Sequence, residues 1–424
     1  MQIVVSVHAL TLHGGTVTYA ITVADHLQRL GHDVWLTSPL MGEAAEPARE
    51  LGVRAVPTSE IPAAPDVILS QDAGSAYELA ASHPGVPQVY VAHSDVFDFQ
   101  LPPAIPGVVG AVVTLYDRVD ERVRALPGPH RIVRLTQPVD VERFKPLRPL
   151  PDRPRVALTL GNYVAGPRAE LLAEACRRAG LQLRHVGTHG ETQTLRPEVV
   201  LNGADVVFGK ARVIAEAMAC GRAAYVYDHN GGEGWVTAEN RARLATDNFG
   251  GQSMPVAVDL DRLTADLARY DPAAALGHRD YVVAHHAATK HAAALVDVLR
   301  SVVDEPGPPV DAPLRELARM VRLYQRADGH AFVMQVEAHR AATERDEART
   351  DALAQAARAD REAARADAAA AAEARAWRDA EAHAAAAKNA RAAFAAVAGT
   401  RRWRALNRLL LPLAHLRAVR GRRP

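Results

Sequence analysis

The sequence predicts an α/β protein with two parallel-sheet domains, a long helix and a basic tail. Short apolar runs alternate with helix-like segments over about the first 305 residues, as in sheets covered by helices on both faces. A proline-rich stretch, PVDVERFKPLRPLPDRP, divides this region in two. At 424 residues the chain is longer than one ordinary core allows. We expect domains at 1–145 and 154–305, a long helix or coiled coil at 314–398 and a basic amphipathic tail at 400–424.

The first domain opens with a βαβ unit. The strand IVVSV is followed by a loop at 8–15, the helix-like run TVTYAITVADHLQRLGH and the strand VWLTS. His13, Gly14 and Gly15 let the backbone of this loop approach a ligand closely, although a glycine turn also closes many such units without binding anything. Further strands are predicted at 67–70, 88–92, 111–115 and 132–135.

The second domain is organised around residues 204–240, where strand, helix and strand patterns follow one another closely. Its predicted elements are a strand at 156–160, a helix at 168–179, a strand ending at 187, a strand at 206–208, a helix at 211–220, a strand at 223–227 and a glycine-rich loop at 228–232. An amphipathic run at 281–303 closes the domain, and 304–313 forms a second linker.

The turn before the helix at 211–220 is the strongest candidate for a binding site. In an open parallel sheet, ligands bind at the carboxyl ends of the strands, where this turn lies. Gly209 and Lys210 lead into the helix, whose free N–H groups and positive dipole end favour a phosphate. Lys210 and Arg212 add cations beside it. Glu216 lies about a turn and a half further on, and its carboxylate could accept hydrogen bonds from both hydroxyls of a ribose.

Composition limits the other possibilities. The formal net charge is +1, so no global field favours a nucleic-acid partner. Cys176 and Cys220 lie in helix-like apolar segments, which is typical of buried thiols in a reducing compartment. Because Met1 leads directly into a strand, we expect neither a signal peptide nor a membrane-spanning helix, and a cytoplasmic location.

Residues 331–398 contain neither glycine nor proline, and alanine, arginine and acidic residues dominate, which predicts one long helix. Large apolar residues are sparse there, Leu353, Trp377 and Phe394 being the main ones. A weak coiled coil that joins two copies and a solvated spacer are both compatible with this pattern.

The tail, TRRWRALNRLLLPLAHLRAVRGRRP, carries no acidic residue. Its apolar residues recur at helical spacing among arginines, as in a helix that lies on an anionic membrane surface. Pro412 would kink such a helix. A helix docked on the protein's own surface and a nucleic-acid-binding tail are the alternatives. The apolar positions are Trp403, Leu406, Leu410, Leu413 and Leu416.

Two other patterns could indicate a metal, and we expect none at either. Asp259 and Asp261 form a DxD sequence, but Asp261 precedes a helix-like run and is expected to cap it. His285, His286 and His291 lie on a predicted helix without a carboxylate cluster, which indicates a solvated or interdomain face.

Several segments, in order, resemble the GT-B glycosyltransferases of the retaining family 4 type. They are HGGTVTYAITVADHLQRLGHDVWLTSP, VAHSDV, PVDVERFKP and the EAMACG helix with its following strand and GG loop. The resemblance covers about the first 305 residues and implies two Rossmann-like domains with a nucleotide sugar between them.

The resemblance also implies roles for individual residues. Glu216 matches the second glutamate of the family's E-x7-E motif, which binds the ribose, and Phe208 stands where the first would contact the donor sugar. His93 matches an active-site histidine that could donate a hydrogen bond to the donor sugar or to the acceptor hydroxyl. The implied donor-binding residues are Gly209, Lys210, Arg212, Glu216, Gly231, Gly232 and Glu233. The residues implied on the acceptor or diphosphate side are His13, Gly14 and Gly15.

The predicted activity is therefore transfer of a sugar from a nucleotide sugar to a cell-envelope or lipid-linked glycan, with retention and without a cofactor or an obligatory metal. A catalytically inactive GT-B-like scaffold, recruited to a membrane, is the alternative. It is suggested by Phe208 and by the lack of a recognisable arginine and lysine pair in LGNYVAGPR, although Arg168 could serve there. A third possibility is another GT-B enzyme, such as a nucleotide-sugar epimerase.

Overall fold

The structure is a computed structural model. It describes residues 1–11, 14–128, 130–161, 164–187, 194, 196–228, 231–252, 258–305, 307–402 and 404. Residues 1–333 form one compact unit, and residues 334–424 form another. His13 lies outside the described residues, as do Trp403 and all of the tail from residue 405 onward, so the predicted amphipathic tail stays a prediction.

The first domain is built on a seven-stranded parallel sheet with the order β3-β2-β1-β4-β5-β6-β7. Its strands are β1 Gln2–Ser6, β2 Asp33–Ser38, β3 Arg54–Pro57, β4 Val67–Ser70, β5 Gln88–Ala92, β6 Ala111–Thr114 and β7 Ile132–Arg134. Its helices are α1 Gly15–Arg29, α2 Glu46–Glu50, α3 Ala73–Ser82 and α4 Asp117–Arg124, with 3-10 turns at Glu43–Ala45, Thr58–Glu60 and Asp98–Gln100. The central strands are buried on both faces, which explains their continuous apolar runs.

The second domain has a five-stranded sheet with the order β12-β11-β10-β8-β9. Its strands are β8 Val156–Leu160, β9 Gln182–Val186, β10 Val206–Gly209, β11 Ala223–Asp228 and β12 Gly231–Trp235. Its helices are α5 Pro167–Arg178, α6 Pro197–Gly203, α7 Arg212–Ala219, α8 Arg241–Thr246, α9 Leu260–Ala268 and α10 His278–His285, with a 3-10 turn at Pro272–Ala275. The predicted α/β class with two parallel-sheet domains is confirmed.

The glycine loop predicted at 228–232 was wrong for its last two residues. Gly231 and Gly232 begin β12, which pairs antiparallel with β11. A Cβ at Gly232 would lie 2.5 Å from the carbonyl oxygen of Val226, so only glycine allows the two strands to approach so closely. Gly232 therefore serves strand packing, a role that the local pattern did not distinguish from a loop.

The amphipathic run at 281–303 was predicted to be continuous and to belong to the second domain. It is broken at His286 and Ala287, where Ala287 forms a bridge with Val139, and the helix α11 (Ala288–Asp304) follows. The apolar face of α11 packs into the core of the first domain, not the second. Local periodicity gives the helix but not its partner, because the crossing back to the first domain is a property of the tertiary fold.

The helix α9 is capped two residues earlier than predicted. The side chain of Asp259 accepts a hydrogen bond from the backbone N–H of Arg262, at 2.8 Å, and is the N-cap, whereas Asp261 lies inside the first turn.

The predicted long helix is present as α12, Leu314–Ala398. Its first turns pack on α3 through Leu314 and Ala318, and Gln325 donates a hydrogen bond to Asp72. Leu353, Trp377 and Phe394 are exposed, and the coiled coil stays a prediction. Among the described residues, no helix combines the length and apolar character that crossing a bilayer requires.

Candidate functional site

A cavity of about 720 Å³ lies between the two domains, at the carboxyl edges of both sheets. Seven of the predicted site residues line it, and the first domain supplies three of them. They are Gly14, Gly15, His93, Gly209, Lys210, Arg212 and Glu216. Gly231, Gly232 and Glu233 are not among the lining residues, and their predicted contact with a donor stays a prediction.

The turn between β10 and α7 opens the second-domain wall of the cavity. Gly209 ends the strand and Arg212 begins the helix, with Lys210 and Ala211 between them. The first N–H groups of a helix have no partner within it, and they carry the positive end of the dipole. Because Ala211, Arg212 and Val213 line the cavity, this helix end is available to an anionic group there.

This turn is strained at Ala211. Its backbone has φ 53° and ψ −130°, a conformation that residues other than glycine rarely adopt. The N–H of Ala211 donates to the carbonyl oxygen of Phe249, at 2.9 Å, and so ties the turn to the segment after α8. Asn248 and Phe249 also have positive φ, of 50° and 56°. Three residues with positive φ therefore meet at this turn, and two of them, Ala211 and Asn248, line the cavity.

Arg212 and Glu216 form a buried ion pair at this wall. The Nε of Arg212 donates to Oε1 of Glu216 at 2.5 Å, and Nη2 donates to Thr22 in α1 of the other domain, at 3.3 Å. Burial raises the pKa of Glu216, and the Arg212 guanidinium opposes that shift. Oε2 of Glu216 has no hydrogen-bond partner among the described residues, so one carboxylate oxygen remains for a ligand in the cavity.

His93 lies on the opposite wall, immediately after β5. Its hydrogen bond with Gln71 determines which ring nitrogen carries the proton. The amide nitrogen of Gln71 donates to the carbonyl oxygen of Ser6, at 3.2 Å, and Oε1 lies 2.8 Å from Nε2 of His93. Because a carbonyl oxygen only accepts, the amide oxygen must face the histidine, which donates through Nε2–H. The ring of His93 therefore carries its proton on Nε2, and Nδ1 is an acceptor.

The surroundings of His93 keep the ring neutral. Enclosure by the protein lowers its pKa to about 3, and the positive charge of Arg212 contributes. The ring of Tyr19 packs edge-on against it, with centroids 4.7 Å apart. The expectation that His93 donates a hydrogen bond to a ligand is corrected, because Gln71 takes its only ring proton. His93 can instead accept a hydrogen bond through Nδ1.

Phe208 does not reach the cavity. Its side chain is fully buried in the second-domain core, where its ring packs against Tyr225 and Tyr227 with centroids 5.0 and 6.3 Å apart. Residues in β10 alternate between the two faces of the sheet, and Phe208 shares its face with Val206. No side chain at this position could contact a ligand without leaving the core.

Comparison with solved structures identifies the architecture, whereas at the level of sequence no protein-family model and no curated protein matches the chain. The fold is similar to that of HepE from Anabaena, solved with UDP and glucose, with a TM-score of 0.51 and 11% identity over 71% of this chain and 100% of that chain. It is also similar to a glycosyltransferase from Rickettsia africae, with a TM-score of 0.50 and 14% identity over 72% of this chain and 99% of that chain.

The chain has the GT-B fold. Identities this low establish the fold alone. The cavity is therefore the interdomain cleft of a GT-B protein, with His93 on the wall of the first domain and α7 on the wall of the second.

The crossover helix α11 supports the first-domain wall of the GT-B cleft. Nδ1 of His291 lies 2.9 Å from the carbonyl oxygen of Thr136 and must donate to it, so Nε2 accepts from the hydroxyl of Tyr19 at 2.8 Å. His286 is likewise buried, with Nδ1 3.0 Å from the carbonyl oxygen of Gln137. Of the three histidines expected on a solvated or interdomain face, His286 and His291 are buried and His285 is exposed.

Two residues considered for the donor site occupy other positions or have other contacts. Arg168 lies in the first turn of α5 and is not among the lining residues of the cleft, and its carbonyl oxygen accepts from the hydroxyl of Tyr227. Glu233, on β12, forms an ion pair with Arg243 at 2.9 Å. Lys210 is the cation that the turn before α7 brings to the cleft.

Several residues of the cleft were missed from the sequence. Tyr116 lies 3.0 Å from Asp95, and Arg118 pairs with the same carboxylate at 2.6 Å. Asn248 also lines the cleft, and Gln71 contacts His93 there. None of them belongs to a spacing pattern that indicates chemistry. Only the position of Gln71, directly after a buried strand, could have marked it as a residue at the edge of the sheet.

One group of potential metal ligands occurs among the residues that the structure describes. Asp25, His26 and Asp140 place one ligand atom each within 4.8 Å of one another, and none of them lines the cleft. Cys176 and Cys220 are buried, as predicted, and burial raises the pKa of both thiols to about 12. Thiols so resistant to ionisation are poor nucleophiles and metal ligands.

Proposed function

We propose that this protein is a glycosyltransferase that takes its sugar from a nucleotide sugar bound in the GT-B cleft. The observation that carries the proposal is the meeting, in one cavity, of the α7 turn, Lys210, Glu216 and His93. HepE, whose fold is similar, was solved with UDP and glucose, which supports a donor of the UDP series.

In this proposal the second domain holds the nucleotide. The N–H groups at the start of α7 and the Lys210 ammonium stabilise the diphosphate. Arg212 favours the ionised form of Glu216 through Oε1, and Oε2 accepts from the ribose hydroxyls. The strained Ala211 turn keeps the helix end in place before the ligand arrives, so little reorganisation accompanies binding.

Transfer then joins the acceptor to the sugar at the opposite wall. The acceptor oxygen forms a bond to the anomeric carbon, the bond from that carbon to the diphosphate oxygen breaks, and the acceptor proton leaves with the diphosphate. Charge develops on the leaving diphosphate, where the helix end and Lys210 are already placed. Nδ1 of His93 accepts a hydrogen bond from a hydroxyl near the reacting carbon and orients it.

The finer features rest on the family resemblance. We propose transfer with retention, no obligatory metal, and a cell-envelope or lipid-linked glycan as acceptor. The position of Asp25, His26 and Asp140 away from the cleft lining is compatible with chemistry that uses Lys210 and the helix end instead of a metal. We further propose that the protein works in the cytoplasm, with its tail at the inner face of the membrane.

A non-catalytic GT-B scaffold is the second candidate, favoured by one observation. Phe208 is part of the core, so the donor-sugar contact implied at this position has no counterpart from its side chain. A scaffold of this kind would fail to bind or turn over nucleotide sugars, which the following experiment detects.

Calorimetric titration of the full chain with UDP, GDP, ADP and UDP-glucose tests the proposal. One nucleotide series should bind, and Glu216→Gln and Lys210→Ala should each weaken it by about tenfold or more, the usual effect of removing a charged hydrogen-bond partner. Glu170→Gln, an exposed glutamate of α5, is the matched control and should bind as the wild type does. Failure of every nucleotide to bind would overturn the donor assignment and favour the scaffold.

A further inference from the structure

The loop after β5 exposes two apolar side chains inside the cleft. Val96 is 65% exposed and Phe97 is 40% exposed, and both line the cavity a few residues beyond His93. Single exposed apolar residues are common on protein surfaces, but two neighbours in a concave binding site indicate an apolar ligand.

Hydrogen bonds within the loop hold these side chains in place. Oγ of Ser94 accepts from the backbone N–H groups of Val96 and Phe97, at 3.0 and 3.1 Å. The ring of Phe97 also packs against Phe99, with centroids 5.6 Å apart. The loop backbone is therefore set by its own polar groups, and the apolar side chains are directed away from them.

Ion pairs connect the same loop to α4. Arg118 pairs with Asp95 at 2.6 Å, the hydroxyl of Tyr116 lies 3.0 Å from the same carboxylate, and Arg122 pairs with Asp98. Asp95 and Asp98, which make these contacts, lie directly before and after Val96 and Phe97 in the sequence. A surface so fixed before binding loses little conformational entropy when a ligand covers it.

The two walls of the cleft differ in chemistry. The second-domain wall carries Lys210, Glu216 and the positive end of α7, which suit a nucleotide diphosphate. The loop on the first domain presents Val96 and Phe97 beside the neutral His93, whose Nδ1 accepts a hydrogen bond. A molecule bound at this wall therefore meets a hydroxyl acceptor and an apolar surface side by side.

We propose that Val96 and Phe97 bind an apolar portion of the sugar acceptor. The acceptor is an amphipathic glycoside or alcohol, whose reactive hydroxyl lies near His93 while an aliphatic or aromatic group covers the two side chains. This inference names the acceptor class of the proposed glycosyltransferase and rests on that function. A second copy of the chain or a partner protein is a poorer occupant, because two side chains within a cavity are far smaller than a stable protein interface.

The test measures binding of hexyl and octyl β-glucoside to the full chain below their micelle concentrations, with and without UDP, by calorimetry. Each buried methylene strengthens binding about fourfold, so octyl glucoside, with two more methylenes, should bind roughly fifteenfold more tightly than hexyl glucoside. Val96→Ser and Phe97→Ser should reduce this preference to about twofold and leave UDP binding unchanged.

Matched controls separate this surface from general hydrophobic adsorption. Val199→Ser, at an exposed valine of α6, and Phe394→Ser, at an exposed phenylalanine of α12, should keep the full chain-length preference. Equal affinity of the wild type for both glucosides would overturn the inference. So would an unchanged preference in Val96→Ser and Phe97→Ser, and so would an equal loss in the controls, which would place the alkyl chain elsewhere.

The two proposals fail in different ways. If alkyl glucosides bind through Val96 and Phe97 but no nucleotide binds, the donor assignment fails and the apolar site stands. If a nucleotide binds and the alkyl chain length has no effect, the glycosyltransferase assignment stands and the acceptor class is wrong.

Discussion

Gln71 determines what His93 can do. The amide is fully buried and its orientation is set by the carbonyl oxygen of Ser6, so the imidazole has one choice of tautomer. A neutral histidine with Nδ1 unprotonated serves as a hydrogen-bond acceptor in the cleft. Gln71 is thus a positioning residue, which acts on a ligand only through His93.

Gln71→Leu keeps the size of the side chain and removes the acceptor for Nε2–H. We expect the ring of His93 to populate both tautomers, which nitrogen NMR of the imidazole detects directly. Sugar transfer should fall by about tenfold, the cost of one misdirected hydrogen bond, while UDP affinity is unchanged. Gln100→Leu, in the same cavity, is the control. A single Nε2–H tautomer in Gln71→Leu would contradict this account.

Ala211 is the second residue whose role depends on its backbone. Ala211→Gly should stabilise the protein by about 1 kcal/mol, because relief of the strained positive φ exceeds the entropy that glycine adds to the unfolded chain. Ala219→Gly, at the end of the same helix, should destabilise it by about 1 kcal/mol. Urea unfolding measures the free energy of unfolding of both variants. Destabilisation by Ala211→Gly would show that the turn is not strained.

Residue types at key positions could be read from the sequence where they follow a spacing pattern. Lys210 and Glu216 were predicted because a turn and a helix fix their separation, and both line the cleft. Gln71 and Ala211 were missed. A buried glutamine that orients a histidine, and an alanine in a glycine conformation, leave no local signature, since both depend on contacts with distant segments.

The helix α11 shows that the local sequence pattern does not indicate which domain an element packs against. Its apolar periodicity predicted a helix, but the helix packs into the first domain and joins α1 through the pair Tyr19 and His291. The prediction for β12 failed for a similar reason. Gly231 and Gly232 suggested a loop, whereas both begin a strand and the small size of Gly232 permits its close pairing with β11. Propensity identifies an element more reliably than it identifies the element's partner.

Tyr19→Phe tests the contact between α1 and α11. The change leaves Nε2 of His291 buried without its donor, which should lower the free energy of unfolding by about 1–3 kcal/mol. Tyr324→Phe, at an exposed tyrosine of α12, should have no measurable effect. If urea unfolding gives the same midpoint for Tyr19→Phe and the wild type, the hydroxyl does not stabilise the pairing of the two helices.

The whole molecule should lose stability in mild acid. Burial lowers the pKa of His93 to about 3 and the pKa values of His278 and His291 to about 4. These rings are neutral in the folded protein but become protonated in the unfolded chain as the pH falls through about 6.5, so acid favours unfolding. Each histidine should remove about 2 kcal/mol between pH 7.5 and pH 5, partly offset by Glu216, whose raised pKa acts in the opposite sense.

Urea unfolding at pH 7.5, 6 and 5 measures this dependence. The midpoint should fall steadily across the series, with net proton uptake on unfolding. A midpoint that is constant over this range would mean that the three rings are protonated in the folded state or that their enclosure has little energetic consequence.

The assignment of the cleft as a nucleotide-sugar site is tested by the structure of the full chain with UDP. We expect the β-phosphate at the start of α7 beside Lys210, with the ribose hydroxyls hydrogen-bonded to Glu216 across the cleft from His93. UDP bound outside the cleft, or bound within it with the ribose away from Glu216, would contradict the assignment of this cavity as a nucleotide-sugar site.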